Sequence, residues 1–201
     1  MPAASSFPRL VSLACHDLRT PLATVHGFAR TLARIDLADP APRYVEVIEA
    51  ASSQIAELLD ELGLVATIES ARFDPVLTDI DSLALARSAA SELDEGYVVV
   101  TGEGARVRVE PDATRRALRQ LARAARRHGG LESVTLAVRG PDLELFPVTS
   151  TAAPVVTGEE LRELGAAAAV VLLEALGAPP KLDGERLCVR LPPAPDEPGR
   201  G

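Results

Sequence analysis

Apolar residues recur along the first third of the chain at the spacing of one face of a helix. The first stripe runs from position 10 to position 35 and comprises Leu10, Ala14, Leu18, Leu22, Val25, Ala29 and Leu32. A second stripe runs from Tyr44 to Val65, and only the short segment Asp39 to Pro42 separates the two. Two helices of about 38 Å, at 1.5 Å per residue, joined by so short a turn are expected to pack antiparallel. The pattern therefore predicts a helical hairpin.

A single hairpin of this kind would leave part of its apolar surface in water. Pairing two hairpins into a four-helix bundle covers that surface, so a homodimer is expected. Pro21 lies inside the first stripe, where a proline removes one helical hydrogen bond and tends to kink the helix. Its position calls for an explanation beyond helix formation.

The pattern changes beyond a segment at 73–81 that contains Pro75 and is interpreted as a linker. Helices are predicted at 81–93, 112–127 and 158–176, and strands at 97–101, 106–110, 133–139, 143–148 and 186–191. This order predicts an α+β layer with helices on one sheet. The predicted organisation is a hairpin domain at 1–72, an α+β domain at 73–193 and a disordered tail at 194–201.

Charge and composition exclude several classes of function. The formal net charge is −8 and the pI is about 5.0, which gives no general electrostatic reason to bind nucleic acid or an anionic membrane. The N-terminus lacks the features of a secretory signal. The most apolar stretch, Gly165 to Leu173, is far shorter than the roughly 20 residues of a membrane span. A cytoplasmic protein is expected.

The most informative segment is His16 to Leu22, which reads HDLRTPL. It closely resembles the H-box of histidine kinases, which lies on the first helix of their dimerisation and phosphotransfer domain. The resemblance extends to the phrase LLDEL at 58–62 and to the run IESA at 68–71, which are similar to the second helix and linker of that family. It implies that His16 is a phosphoacceptor and that response-regulator receiver domains are partners.

The chemistry of these residue types fits that role. An imidazole, with an ordinary pKa of about 6.5, is a competent nucleophile at neutral pH. Asp17 is expected to orient the ring by holding the proton on its other nitrogen. Thr20 lies one helical turn further on, on the same face, where its hydroxyl could position a water molecule for dephosphorylation of a partner. In the resembling family this position is linked to phosphatase activity.

The neighbouring positions predict a docking surface for a receiver. The small residues Ala23, Thr24 and Gly27 continue the same face of the helix. The predicted docking surface consists of these three residues and Arg19. His26 lies about 80° around the helix from His16 and is interpreted as an ordinary helix residue. His128, at the end of a predicted helix, receives no catalytic role. Cys15 is interpreted as a small buried helix residue rather than a redox sensor.

The α+β domain resembles the Bergerat-type ATP-binding domain of the same family in the order of its elements. Three of its nucleotide motifs are altered. In the first motif, Ala124 takes the place of the family's magnesium-holding asparagine, and Gln120 takes the place of an earlier asparagine on the same helix. In the second, the segment 147–151 has no Asp-x-Gly-x-Gly. In the third, the later glycine-rich turn keeps only Gly165. The segment corresponding to the family's lid is also too short. We expect a degenerate domain that folds without binding ATP, magnesium or another cofactor.

Six arginines cluster on the predicted helix at 112–127. A solvated helix face is favoured over a phosphate or nucleic-acid site, and docking of an acidic receiver or kinase stays open.

These features favour a histidine phosphotransferase of a two-component phosphorelay, which takes a phosphoryl group from one receiver aspartate and gives it to another. Two alternatives stay open. One is a histidine kinase with a divergent ATP site that uses ATP and magnesium to phosphorylate His16, and the other is a non-catalytic regulatory partner of a kinase or receiver. A measurement of ATP binding distinguishes the kinase from the phosphotransferase. Replacement of His16 by Ala distinguishes the non-catalytic partner, because it should abolish phosphoryl transfer but leave a scaffold's function largely intact.

Overall fold

The computed structural model describes residues 6–35 and 40–195. Contacts divide the chain into two compact units, Met1–Phe73 and Asp74–Gly201. The first unit is a pair of long helices, α1 (Ser6–Leu32) and α2 (Ala41–Glu69), packed against each other. Pro42 lies in the first turn of α2, where its missing N–H is not needed, whereas Pro21 lies inside α1.

The hairpin buries a narrow seam and leaves large apolar side chains in contact with solvent. Its buried apolar residues are small or widely spaced: Cys15, Ala29, Val45, Leu59 and Ala66. Phe28 and Val47 are 68% and 67% exposed. Other exposed apolar residues on the two helices are Leu18, Val25, Leu32, Tyr44, Ile48, Ile55 and Leu58. This surface is the one that the predicted second hairpin would cover.

The second unit is a mixed layer of helices on a sheet. Its elements in chain order are β1 (Thr78–Asp81), α3 (Ser82–Ser91), β2 (Val98–Gly104), β3 (Arg106–Val109), α4 (Pro111–Gly129), β4 (Val134–Gly140), β5 (Asp142–Phe146), α5 (Ala153–Val156), α6 (Leu164–Ala175), β6 (Lys181–Asp183) and β7 (Arg186–Arg190). Five strands form one sheet in the order β2-β4-β5-β7-β6, and β1 pairs with β3 in a separate ribbon. The α+β fold class and the preceding helical hairpin are thus confirmed.

Local sequence signals explain where these helices begin and end. The Asp81 carboxylate accepts a hydrogen bond of 2.8 Å from the Ala84 N–H at the start of α3, and the Glu110 carboxylate accepts one from the Ala113 N–H at the start of α4. Gly130 ends α4 with a φ of 63°, a left-handed conformation that glycine adopts without strain. Gly140 turns the chain between β4 and β5 with a φ of 61°.

The two faces of the five-stranded sheet differ in polarity. On one face, the inward residues of β4, β5 and β7 are buried with α4 and α6; Leu121, Leu143, Leu173 and Leu187 are at most 1% exposed. The opposite face carries ion pairs across strands, with the Glu144 carboxylate 3.1 Å from Arg139 and 2.9 Å from Arg186. Cys188 lies on this face, and partial burial together with Glu144 raises the pKa of its thiol.

Several element predictions were wrong in detail. The segment 73–81, predicted to be a linker, contains β1, which pairs antiparallel with β3. The helix predicted at 158–176 begins only at Leu164, because Gly158 has a φ of 79° and the short helix α5 precedes it. Strand β6 was not predicted.

The chain beyond β7 stays hydrogen-bonded as far as Ala194, whose N–H donates to the Arg106 carbonyl at 3.0 Å. The remainder of the predicted tail, 196–201, lies outside the described residues. Across residues 6–35 and 40–195, none of the helices combines the length and apolar character that crossing a membrane requires.

Candidate functional site

The predicted phosphoacceptor lies in the middle of α1. His16 and Asp17 are both part of this helix, but their side chains lie outside the described residues. The immediate surroundings are described. Cys15 is only 2% exposed, in agreement with its interpretation as a small buried residue, whereas Leu18, Arg19 and Thr20 are exposed. Cys15 therefore lies in the buried seam of the hairpin, whereas Leu18, Arg19 and Thr20 lie on exposed parts of the helix surface.

An ion pair joins the two helices one turn beyond His16. The Arg19 guanidinium lies 2.6 Å from the Asp60 carboxylate of α2, with side chains that are 50% and 52% exposed. The pair lines a surface groove of about 470 Å³ that runs between the helices, together with Leu22, Ala23, His26, Ser52, Ser53, Ala56 and Glu57. Arg19 and Ala23, both predicted to contact a receiver, thus line one groove.

Thr20, Thr24 and Gly27 form a low surface beside this groove. All three are exposed. The Thr24 hydroxyl donates to the Thr20 carbonyl at 3.1 Å, so the side chain of Thr24 is held against its own helix. Among the described residues, no atom apart from those of its chain neighbours and its own helix backbone lies within 4 Å of the place where a Cβ of Gly27 would stand. A partner approaching this part of α1 meets little steric obstruction from these three side chains.

His26 lies in the groove between the two helices. It lines the same groove as Arg19 and Ala23. Its Nδ1 atom is buried and has no hydrogen-bond partner within the described part of the chain. Two neighbours in the groove, Ser52 and Asp60, come from α2, a tertiary arrangement that the sequence of α1 alone does not contain.

In the second unit, segments that carry altered nucleotide motifs meet at the C-terminal end of α4. The His128 ring lies 2.9 Å from the Glu163 carboxylate, with side chains only 20% and 14% exposed. The Thr151 hydroxyl donates to the His128 carbonyl at 2.9 Å and lies 2.9 Å from the Thr149 hydroxyl. His128 therefore joins α4 to the segment before α5 and to the turn before α6, a structural role that the sequence did not indicate.

The face of α4 that carries the altered N-box packs directly against α6. Ala124 is completely buried and offers no oxygen, and Gln120 is 6% exposed. The Gln120 side chain lies so close to Gly165 that a Cβ atom placed there would stand 2.8 Å from its amide carbon. The residues at these positions do not fit a magnesium-bound nucleotide, because one carries no ligand atom and another occupies the space beside the remaining glycine.

The rest of the described chain offers no alternative metal site. Within residues 6–35 and 40–195, no three histidine, cysteine, aspartate or glutamate side chains lie close enough to hold a metal ion together.

Comparison with known proteins defines the class of this hairpin. Residues 9–71 match the model of the His Kinase A (phospho-acceptor) domain, and this match includes the whole HDLRTPL segment. The first unit is therefore similar to this domain family, and the resemblance of the chain to histidine kinases is supported. Domains of this family typically dimerise and interact with response regulators.

Solved structures show that the likeness covers both units. The crystal structure of full-length ShkA in complex with AMPPNP matches with a TM-score of 0.69 and 20% identity, over 92% of this chain and 46% of that one. The Acinetobacter baumannii histidine kinase AdeS matches with a TM-score of 0.57 and 15% identity, over 88% of this chain and 97% of that one. The chain thus spans less than half of the ShkA chain. At these identities the likeness concerns the fold, and no sequence of a curated protein matches this chain.

Proposed function

We propose that this chain is a phosphorelay protein in which His16 exchanges a phosphoryl group with receiver aspartates and which does not use ATP. One combination carries the proposal. The phosphoacceptor segment HDLRTPL is intact within a His Kinase A domain, whereas the corresponding nucleotide positions of the second unit hold Ala124 and a Gln120 side chain packed beside Gly165.

Residues of the hairpin account for each bond and each charge that changes during the transfer. An imidazole nitrogen of His16 attacks the phosphorus of an aspartyl phosphate, a P–N bond forms, and the P–O bond to the aspartate breaks as its carboxylate leaves. Asp17 holds the proton of the other ring nitrogen and stabilises the positive charge that develops on the ring. The reverse reaction with a second receiver regenerates neutral His16. The donor and the final acceptor are therefore both proteins, and ATP takes no part.

The groove beside His16 supports a protein donor. A receiver has to bring its aspartate within bonding distance of the imidazole, and close approach requires low side chains around the acceptor. Ala23, Thr24 and Gly27 provide such a surface, and Arg19 beside them is held in place by Asp60 at 2.6 Å. We assign Arg19, Ala23, Thr24 and Gly27 to receiver docking, and Thr20 to positioning of water during dephosphorylation.

A second candidate function is autophosphorylation of His16 by ATP. It is favoured by one observation, the TM-score of 0.69 with the structure of ShkA, which was crystallised with AMPPNP. It requires magnesium and nucleotide ligands at positions where this chain has alanine and glutamine. We therefore place it second.

The proposed function is tested by transfer from proteins. A panel of purified receiver domains from the source organism is loaded with ³²P from labelled acetyl phosphate and mixed with this protein. We expect at least one receiver to transfer label to the wild type and none to label His16→Ala. Thr31→Ala, an exposed position of α1 that does not line the groove, is the control and should be labelled. Failure of every receiver to label the wild type would refute the proposal.

A further inference from the structure

The outer face of α4 carries a concentration of positive charge in an otherwise acidic chain. This helix has six arginines and one aspartate, whereas the whole chain has a formal net charge of −8. The arginines are Arg115, Arg116, Arg119, Arg123, Arg126 and Arg127. The opposite face of the helix is made of buried residues, among them Ala117, Leu121 and Ala125.

Half of these arginines have partners within the second unit. Arg115 and Arg119 both pair with the Glu92 carboxylate at the end of α3, the latter at 2.7 Å. The Arg126 guanidinium lies over the ring of Tyr97, 3.7 Å from its centre. These three side chains tie α4 to α3 and to the start of β2, and their charges are partly compensated or stacked.

The other three arginines are free of such contacts. Within the part of the chain that the structure describes, Arg116, Arg123 and Arg127 have neither an ion pair nor a side-chain hydrogen bond. Arg123 and Arg127 are exposed and Arg116 is half-buried. At 100° per residue the three lie within a sector of about 40°, and they extend over roughly 16 Å of helix. They form a straight row of uncompensated positive charge.

A small cleft adjoins the middle of this row. It has a volume of about 280 Å³ and lies between the end of α3, the start of β2 and α4. Arg123 and Arg126 line it from α4, and Tyr97 contributes a ring. Glu92 and Asp94 lie on its other side, and Glu92 is already engaged by two arginines. A carboxylate of a partner protein that entered this cleft would meet the unpaired guanidinium of Arg123 and the guanidinium of Arg126, which is stacked on Tyr97.

We propose that this arginine row, Arg116, Arg123 and Arg127, is a docking surface for an acidic surface of the receiver that exchanges phosphate with His16. The inference rests on the proposed function and concerns the second unit. Charge complementarity supports a protein with exposed aspartates and glutamates. A nucleic acid is disfavoured because the chain as a whole is acidic, with a pI of about 5.0, and would repel a polyanion beyond the row.

The test uses the receiver that labels His16 in the phosphotransfer panel. Steady-state KM and kcat are measured at 50 mM and 200 mM salt for the wild type, Arg123→Glu/Arg127→Glu and Arg123→Gln/Arg127→Gln. We expect the glutamate pair to raise KM about tenfold with kcat within twofold of wild type, and the glutamine pair to have an intermediate effect. The salt dependence of KM should decrease in both variants.

Arg87→Glu/Arg108→Glu is the matched control, because both residues are exposed arginines outside α4 and the change in net charge is the same. Circular dichroism melting checks that all variants fold. A glutamate pair that behaves like this control overturns the docking surface while leaving the proposed function intact. A fall in kcat at unchanged KM also overturns it, as does loss of binding to a 20-base-pair DNA duplex without an effect on the receiver. If no receiver labels the wild type, the proposed function fails first and this inference fails with it.

Discussion

The hairpin and the second unit differ in how closely their sequences resemble the motifs of histidine kinases. The hairpin retains the reactive segment HDLRTPL, but large apolar side chains such as Phe28, 68% exposed, stay in contact with solvent. The second unit buries leucines such as Leu121 and Leu173 almost completely, and a buried alanine, Ala124, lies where the resemblance would place the family's magnesium ligand. Its fold depends on the alternation of apolar residues, and that alternation does not require any ligand residue.

The largest expected effect concerns the core of the second unit. Leu173→Ala should lower the free energy of unfolding by about 2–5 kcal/mol, because Leu173 is fully buried and its removal leaves a cavity. Urea unfolding monitored by circular dichroism measures this loss. Leu161→Ala is the control, since Leu161 is 82% exposed, and should change stability by less than about 0.5 kcal/mol. Equal effects of the two changes would mean that α6 does not form this core.

A second prediction addresses the altered N-box. Ala124→Asn restores the residue type of the resembling family, but at a site that is completely buried. The amide should lower the free energy of unfolding by about 1–3 kcal/mol, because its polar atoms lose water without gaining partners. Isothermal titration calorimetry should detect no binding of magnesium ATP. Ala84→Asn, at an exposed position of α3, controls for helix propensity. Acquisition of nucleotide binding by Ala124→Asn alone would contradict the packing described for Gln120 and Gly165.

A smaller effect is expected at Thr20. Thr20→Ala should slow dephosphorylation of a cognate receiver by on the order of tenfold, because the positioned water is lost. Transfer of label between His16 and the receiver should change much less. Both rates are measured on one preparation with ³²P-labelled receiver. Thr31→Ala, another exposed threonine of α1, serves as the control. Equal slowing of both reactions would remove the phosphatase assignment.

The smallest effect is expected at the ion pair between the two helices. Asp60→Asn should lower the free energy of unfolding by less than about 1 kcal/mol, since both partners are about half exposed and solvent screens their attraction. Glu57→Gln, at an exposed neighbour in the same groove, is the control. A loss of several kcal/mol would show that the Arg19–Asp60 pair is desolvated, as it would be under a permanently bound partner.

The sequence predicts the parts of this fold whose signal is local. Long apolar periodicity placed α1, α2 and α4 within a few residues of their ends. Strand β1 was missed because its four residues, Thr78–Asp81, are largely polar and exposed, and only pairing with β3 makes them a strand. The helix predicted from Gly158 begins late because apolar composition does not reveal the left-handed conformation of that glycine.

The candidate site divides in the same way. His16, Thr20 and the small residues after them follow from one contiguous motif. The partners Asp60 and Glu163 do not, because they are 41 and 35 residues away from Arg19 and His128. Contacts at such separations depend on how helices pack. For this reason the groove position of His26 was also missed.

The central claim is that His16 is reactive while the second unit supplies no nucleotide. Its most direct test is incubation of the purified protein with magnesium and γ-³²P-labelled ATP, with His16→Ala in parallel, followed by an acid-lability assay of any bound label. We predict no label on either protein, although a phosphorylated receiver labels the wild type. Acid-labile label on the wild type alone would contradict this account and would identify the chain as an autophosphorylating histidine kinase.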